Sequence, residues 1–246
     1  MVFLRPFLIA LRFLTRLPVP WEEALNDRDL GRSALYYPPI GLLIGLLLWA
    51  LDFALSHQAV LLRAAVLLAF WVLLTGALHL DGLADSADAW LGGFGDRERT
   101  LLILKDPCSG PAALVAVFVV LILKFAALAS ILDAGERGIL ILSPLLGRTA
   151  LALLFLTTSY VRPGGLGETL ARHLPRPPLA FVALAALAAA LFSTGAKAGW
   201  ILLVAGGCFL GLRAMMVRRI GGTTGDTAGA LVEVIETAVL VALSIV

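Results

Sequence analysis

Charged side chains and cysteines are both scarce in this sequence of 246 residues. Charged residues make up 15% of the chain, whereas soluble domains average about 25%, so a soluble globular domain is excluded. Two cysteines, Cys108 and Cys208, are too few for a disulfide framework. Hydrophobic residues make up 60%. The composition therefore predicts an integral membrane protein that contacts the lipid bilayer, and no nucleic-acid partner is expected.

Seven apolar segments of about twenty residues each are spaced along the chain. They predict an all-α fold, a polytopic membrane helix bundle with about seven transmembrane helices that forms a single integral membrane domain over residues 1–246. The fifth segment is short and built largely of alanine, so the fifth and sixth could instead form a hairpin that does not fully cross. The segments are 38–56, 59–80, 110–132, 138–160, 179–195, 198–217 and 228–246.

Lysine and arginine are distributed unevenly between the two ends of these segments. Five precede the first segment, three lie in 81–109, three in 161–178 and two in 218–227. The opposite side holds only Arg137 and Lys197, with Arg63 just inside a span. The positive-inside rule assigns the basic side to the cytoplasm. We therefore expect a multi-pass protein of a bacterial or archaeal cytoplasmic membrane, in which 81–109, 161–178 and 218–227 are cytoplasmic loops.

The first 33 residues predict an interfacial segment rather than a signal peptide or a span. Apolar residues recur there at helical spacing, but arginines interrupt them and leave no continuous apolar core. An amphipathic helix lying at the lipid interface fits this pattern, and a cytoplasmic helix packed on the bundle is the alternative. The apolar positions are Phe3, Phe7, Leu11 and Leu14, and the arginines are Arg5, Arg12 and Arg16.

Three aspartates, Asp81, Asp85 and Asp88, follow the second apolar segment within the stretch His79–Trp90. If this stretch is helical, offsets of four and three residues place all three carboxylates on one face, where they repel one another unless a cation lies between them. Hard oxygen ligands in this number suit Mg²⁺, which proteins commonly share between carboxylates and substrate phosphates. The motif predicts a metal-dependent site for phosphate chemistry.

Two further segments on the same predicted side carry groups suited to phosphate. Before the third span, Lys105 and Asp106 could bind a phosphate or a metal, and a capped helix start is the alternative. Before the last span, two arginines and a Gly/Thr-rich stretch resemble a phosphate cradle that ends at Asp226, and a plain turn between helices is the alternative. We predict that this stretch meets the aspartate motif to close one active site. Its other residues of interest are Arg218, Arg219, Gly221, Gly222 and Thr224.

Several charged residues fall within the apolar segments, where ionisable groups are costly and are functional candidates. Arg148, Glu233 and Glu236 lie where they could reach a cytoplasmic cavity, but a Glu–Arg pair that holds helices together explains them equally well. Asp52 and Arg63 lie near the external turn and are read as structural. Lys124 is open to either interpretation.

Three blocks, in this order, resemble the adenosylcobinamide-GDP ribazoletransferase family, also called cobalamin 5′-phosphate synthases. They are His79–Asp88, Lys105–Asp106 together with Gly110, and Gly221–Ala230. The early stretch Arg12–Pro20 also fits, and the resemblance covers nearly the whole chain.

The resemblance implies a late step of cobalamin biosynthesis. α-Ribazole or α-ribazole 5′-phosphate is joined to adenosylcobinamide-GDP by phosphoryl transfer to a ribose hydroxyl, and GMP is released. By this chemistry Asp81, Asp85 and Asp88 would hold Mg²⁺. Asp81, Asp85, Asp106 and Asp226 are the candidate catalytic carboxylates. The candidate phosphate-binding residues are Arg99, Lys105, Arg148, Arg218, Arg219, Gly221, Gly222 and Thr224.

Other classes of protein share parts of this pattern. CDP-alcohol phosphotransferases and membrane prenyltransferases also place acidic motifs at helix ends, but neither class explains all three blocks. A transporter would account for the charges inside the spans, yet it predicts acidic groups near the membrane midplane and inverted repeats. A homo-oligomer is compatible with the sequence.

Overall fold

The computed structural model describes residues 4–19 and 26–245, and in them the chain forms twelve α-helices. Three 3-10 turns, at Ala34–Tyr36, Arg137–Ile141 and Gly195–Lys197, join some of them. The only extended pairing in these residues is a single bridge between Tyr160 and Thr223. The helices are α1 (Leu4–Leu14), α2 (Asp27–Ser33), α3 (Tyr37–Ala54), α4 (Val60–Thr75), α5 (Leu78–Gly92), α6 (Arg97–Ile103), α7 (Pro111–Asp133), α8 (Leu142–Thr157), α9 (Leu166–Arg172), α10 (Arg176–Thr194), α11 (Ala198–Ile220) and α12 (Gly225–Ile245).

The predicted all-α membrane bundle is confirmed. By length and composition six helical stretches of the described chain can cross a membrane, and a seventh crossing is possible if α4 and α5 count as one bent span. The segments predicted as fifth and sixth form separate helices of 19 and 23 residues, each of which passes this test. The six stretches are 27–54, 111–133, 137–157, 176–194, 198–220 and 225–245.

The second span is where the sequence prediction was wrong. A continuous apolar helix was expected over 59–80, but α4 ends at Thr75 and α5 begins at Leu78 after a bend of 86°. Gly76 and Ala77 at the bend have φ values of 63° and 56°, a left-handed backbone that ends a helix. The bend turns α5 away from α4, so the aspartate motif lies on its own helix.

The predicted cytoplasmic loops contain more helix than expected. The range 81–109 holds most of α5 and all of α6, and 161–178 holds α9. Between α11 and α12 only residues 221–224 are non-helical, although 218–227 was expected to be loop. The site is therefore built mainly on helices rather than on loops.

The amino-terminal helix is present over Leu4–Leu14, while Phe3 lies outside the described residues. Ile9, Ala10 and Leu14 are buried, and Phe7 lies edge-on to Tyr36 with ring centroids 5.7 Å apart. The helix therefore packs against the bundle, which was the alternative to a purely interfacial helix.

The basic segments of the chain lie close together at one end of the bundle. Arg176 at the start of α10 donates to the carbonyl of Leu156 near the end of α8, at 3.0 Å. Arg97 of α6 donates to the carbonyl of Ile220 at the end of α11, at 3.1 Å. One end of the bundle thus gathers the basic segments together with the aspartate motif.

The opposite end carries its few cations in ion pairs. Asp52 is buried, accepts from Arg63 Nε at 2.8 Å and lies 3.3 Å from Arg137 Nε. Lys197 Nζ lies 2.6 Å from Glu136. The structural interpretation of Asp52 and Arg63 is confirmed, because they join α3 to α4 away from the site.

A second buried charge cluster lies in the middle of the bundle. Lys124 Nζ lies 2.6 Å from both Glu233 and Glu236, and Arg148 pairs with Glu236. Two cations and two carboxylates balance, which is the condition under which buried charges are tolerated. Lys124 also lies over the ring of Trp71, 4.5 Å from its centroid. The cluster ties α7, α8 and α12 together.

Candidate active site

Helix α5 presents the aspartate motif at the basic end of the bundle. Asp81 is exposed, and Asp85, one turn later, is half-buried. The face behind them packs on α12, and Gly82 allows this contact: a Cβ there would lie 2.6 Å from the carbonyl oxygen of Asp226. Helical spacing thus presents the carboxylates, while a glycine lets the two backbones approach.

Asp226 lies in the first turn of α12 and completes the acidic group. Its carboxylate accepts from Arg162 Nη1 at 2.9 Å and lies 3.5 Å from the hydroxyl of Thr224. The approach of Gly82 to Asp226 confirms that the aspartate motif and the last Gly/Thr-rich segment meet in one place, although more than 130 residues separate them.

The carboxylates act on one another through their charges. Burial raises the pKa of Asp85 to about 6, the charges of Asp81, Asp226 and Asp88 add to this rise, and Arg162 opposes it. A set of repelling carboxylates around one guanidinium fits a hard divalent cation. In the described residues no three His, Cys, Asp or Glu side chains converge enough to hold a metal alone. The Mg²⁺ site predicted on Asp81, Asp85 and Asp88 therefore stays a prediction.

Asp88 has a distinct environment on the same helix. Its carboxylate accepts from the backbone amides of Gly110 and Ala113, at 2.5 and 3.0 Å. These amides belong to the amino end of α7, which has no side-chain cap of its own. Asp88 thus joins α5 to the start of α7, a contact that sequence spacing alone does not indicate.

The Gly/Thr-rich stretch is a tight turn whose polar groups bond mainly to protein. Gly221 has a φ of 81° and ends α11. Thr223 N donates to the carbonyl of Ser159, and Thr224 N donates to the hydroxyl of Thr227, both at 2.9 Å. Gly222 and Thr224 are buried. The alternative interpretation, a turn between helices, describes this geometry, and the turn holds Asp226 in place.

The other predicted basic and acidic residues spread around the same end. Arg219 donates to the Thr100 hydroxyl at 3.2 Å and so holds α6 against α11. Asp106 is exposed, accepts from Cys108 N at 3.0 Å, and is not among the charges that act on Asp85. Three predicted phosphate-binding cations have exposed side chains: Arg99, Lys105 and Arg218.

Arg148 is completely buried and pairs with Glu236. The pair joins α8 to α12, which agrees with the alternative interpretation that a Glu–Arg pair holds helices together. One guanidinium nitrogen lies 3.5 Å from Nδ1 of His79. Because a guanidinium only donates, Nδ1 is the acceptor in this contact. Arg148 therefore supports the site from behind, through His79, while His79 itself borders a cavity.

Sequence reasoning missed three residues at the site: Arg162, His79 and Tyr160. Arg162 was counted only as one positive charge of a cytoplasmic segment, and no local motif marks it. His79 begins the stretch that contains the aspartate motif, and this position could have identified it as a site residue. Tyr160 sits at the bridge to Thr223.

A cavity of about 680 Å³ opens beside the carboxylates, and we name it the α1–α8 cavity. Helices α1, α2, α3, α8 and α9 supply mostly apolar walls. Asp81, His79 and Asp226 border it, whereas Asp85 and Asp88 do not. A mostly apolar concave space with a few polar groups at one edge is typical of a small-molecule site.

Gly82 provides a direct test of the contact between α5 and α12. We expect Gly82→Ala to lower turnover by at least about tenfold, because the added methyl group meets the Asp226 backbone and shifts the carboxylates relative to one another. Gly206→Ala is the matched control, since a Cβ at that helical glycine has no neighbour within 4 Å. Normal turnover in purified Gly82→Ala protein would contradict the close approach.

The fold and the site together define a class, a multi-pass helical membrane protein with a cluster of carboxylates at one end of its bundle. The model of the cobalamin-5-phosphate synthase family matches residues 6–244. The chain belongs to this family.

Curated relatives agree over almost the full length. Adenosylcobinamide-GDP ribazoletransferase of Pseudomonas fluorescens strain Pf0-1 is 58% identical over 240 residues, which cover 98% of this chain and 99% of the relative. The protein of the same name from Pseudomonas putida strain GB-1 is 57% identical, with 98% of each chain covered. No solved structure matches the chain.

Proposed function

We propose that this protein is an adenosylcobinamide-GDP ribazoletransferase that joins α-ribazole, or its 5′-phosphate, to adenosylcobinamide-GDP and releases GMP. The observation that carries the proposal is the meeting of Asp81 and Asp85 with Asp226 and Arg162 beside a small-molecule cavity. Its support is the family membership and the names of relatives that cover nearly the whole chain.

The chemistry follows from the groups in place. The ribose hydroxyl oxygen bonds to the phosphorus that is attached to cobinamide, and the bond from that phosphorus to the oxygen of GMP breaks. The hydroxyl proton passes to a carboxylate, for which Asp226 at the cavity edge is the candidate that is not assigned to the metal. Arg162 is placed to hold a phosphate oxygen. Asp81 and Asp85 would hold Mg²⁺, and the bound ion would supply positive charge against the pyrophosphate.

The family and the relatives favour this function over the other classes. A CDP-alcohol phosphotransferase or a prenyltransferase would share the acidic helix but not the family match. The charges inside the spans, which motivated a transporter, neutralise one another in buried pairs.

A direct assay tests the proposal. Purified protein in liposomes is supplied with adenosylcobinamide-GDP, α-ribazole and Mg²⁺, and GMP and the joined corrinoid are measured. We expect both products in equal amounts, and none when α-ribazole or Mg²⁺ is omitted. GMP release that does not depend on α-ribazole would indicate a hydrolase instead, and no release would refute the proposal.

The active-site end is proposed to face the cytoplasm, on the basis of the positive-inside rule. In a variant without native cysteines, we expect Arg97→Cys and Arg218→Cys to resist an impermeant thiol reagent in intact cells and to react after the membrane is opened. Gln58→Cys, exposed in the turn between α3 and α4, is the control that should react in intact cells. The opposite labelling pattern would reverse the orientation.

A further inference from the structure

We propose that the α1–α8 cavity binds the acceptor nucleoside, with its flat aromatic base between the aromatic walls and its ribose toward Asp81 and Asp226. This inference rests on the proposed function and deepens it, because it assigns one of the two substrates to a defined place. It also gives the amino-terminal helix α1 a part in substrate binding.

The two substrates differ in size, and only the acceptor nucleoside fits the cavity. The cavity volume of about 680 Å³ falls within the range of roughly 300–1,000 Å³ found for pockets that enclose drug-sized ligands. α-Ribazole, a benzimidazole joined to a ribose, is a ligand of that size. Adenosylcobinamide-GDP carries a corrin macrocycle, an adenosyl group and a guanosine, and is several times larger. The volume of the cavity therefore suits the acceptor and is too small for the whole corrinoid substrate.

The walls suit a flat apolar base. Two stacked aromatic pairs line the cavity. Phe13 of α1 lies against Tyr37 of α3, with ring centroids 6.2 Å apart and planes 21° from parallel. Phe155 of α8 lies against Tyr160, at 6.3 Å and 26°. Aromatic faces attract another planar ring in stacked or edge-on geometry, and apolar burial adds to this attraction.

The polar edge sets the orientation. Asp81 and Asp226 border the cavity, while Asp85 and Arg162 belong to the same charge group but do not line it. Asp81 and Asp226 are thus the carboxylates that a bound acceptor can reach, and Arg12 of α1 also lines the cavity. With the base in the apolar part, the ribose hydroxyl lies at the edge that Asp81 and Asp226 border, within reach of Asp226. Its proton passes to that carboxylate as the oxygen bonds to the cobinamide-linked phosphorus, and the bond from phosphorus to GMP breaks.

Two exposed residues of the lining allow a test that leaves the core intact. Leu166 is 52% exposed and Phe13 is 43% exposed. Leu166→Trp narrows the cavity, and Phe13→Ala removes half of one aromatic pair. The matched controls are Leu184→Trp and Phe181→Ala on α10, where the side chains are 63% and 74% exposed and do not line the cavity.

The first measurement is steady-state kinetics of the full-length protein in nanodiscs, with each substrate varied in turn. We expect both cavity variants to raise the KM for α-ribazole by about tenfold, a size expected when an aromatic contact is lost or blocked. The KM for adenosylcobinamide-GDP should stay within about twofold of wild type, and both controls should match wild type. A rise in the KM for adenosylcobinamide-GDP alone, or no change in either KM, would overturn the inference.

The second measurement is equilibrium binding of α-ribazole without the other substrate and without Mg²⁺. Wild type and Leu184→Trp should bind equally, and Leu166→Trp should bind about tenfold more weakly. Equal binding by all three proteins would place the acceptor elsewhere. No binding by wild type would contradict a preformed acceptor site in the cavity. Failure of the proposed function has a different signature, since wild type would then release no GMP with both substrates present.

Discussion

Asp81→Asn lowers turnover by at least about a hundredfold, the expected loss when a carboxylate that stabilises charge in a phosphoryl-transfer transition state is removed. Asp81 is exposed at the acidic edge of the α1–α8 cavity and acts on the charge of Asp85. Asparagine keeps the shape and removes the charge. The prediction is tested by steady-state GMP release from purified wild type and Asp81→Asn protein over a range of Mg²⁺ concentrations.

Asp133→Asn is the control for this experiment, because Asp133 is an exposed aspartate at the carboxyl end of α7. Its turnover should equal that of wild type. Near-normal turnover in correctly folded Asp81→Asn protein would remove Asp81 from the mechanism and would leave Asp226 as the remaining carboxylate at the cavity edge.

We expect Asp226→Asn to abolish most activity and to leave the stability of the protein nearly unchanged. The ion pair that it weakens, with Arg162, has side chains 34% and 20% exposed, and partly exposed pairs contribute little to stability. The loss of activity follows because the same carboxylate borders both the cavity and the carboxylates of α5. The two readouts are turnover and thermal unfolding, measured on the same preparation.

Glu168→Gln provides the matched comparison for Asp226→Asn. Glu168 pairs with Arg172 at 2.5 Å on α9, at the same end of the bundle, but does not line the cavity. We expect the Glu168 variant to keep both stability and activity. If Asp226→Asn also kept its activity, Asp226 would be a turn residue that only joins Arg162 to α12, and the single-site interpretation would fail.

Much of the bundle could be predicted from the sequence, because hydrophobicity and helical spacing are local properties. The apolar segments other than 59–80, which bends between α4 and α5, fall on the observed helices. The positions of the basic segments also predict the end of the bundle at which they gather. Spacing also predicts that Asp81, Asp85 and Asp88 share a face once the stretch is helical, which α5 confirms. The order of the three motifs was sufficient to indicate the family, which the comparison confirms.

The tertiary structure alone decided what each of these side chains touches. Asp88 bonds the amino end of α7, 22 and 25 residues away, and Arg148 pairs with a glutamate 88 residues further along the chain. Arg162 meets Asp226 across 64 residues. No local pattern encodes such pairs, because they depend on how helices pack once Gly76 and Ala77 have turned α5 out of line with α4. The sequence by itself determined which segments are apolar, which end is basic and which residues can carry the chemistry, whereas packing determined which of them meet.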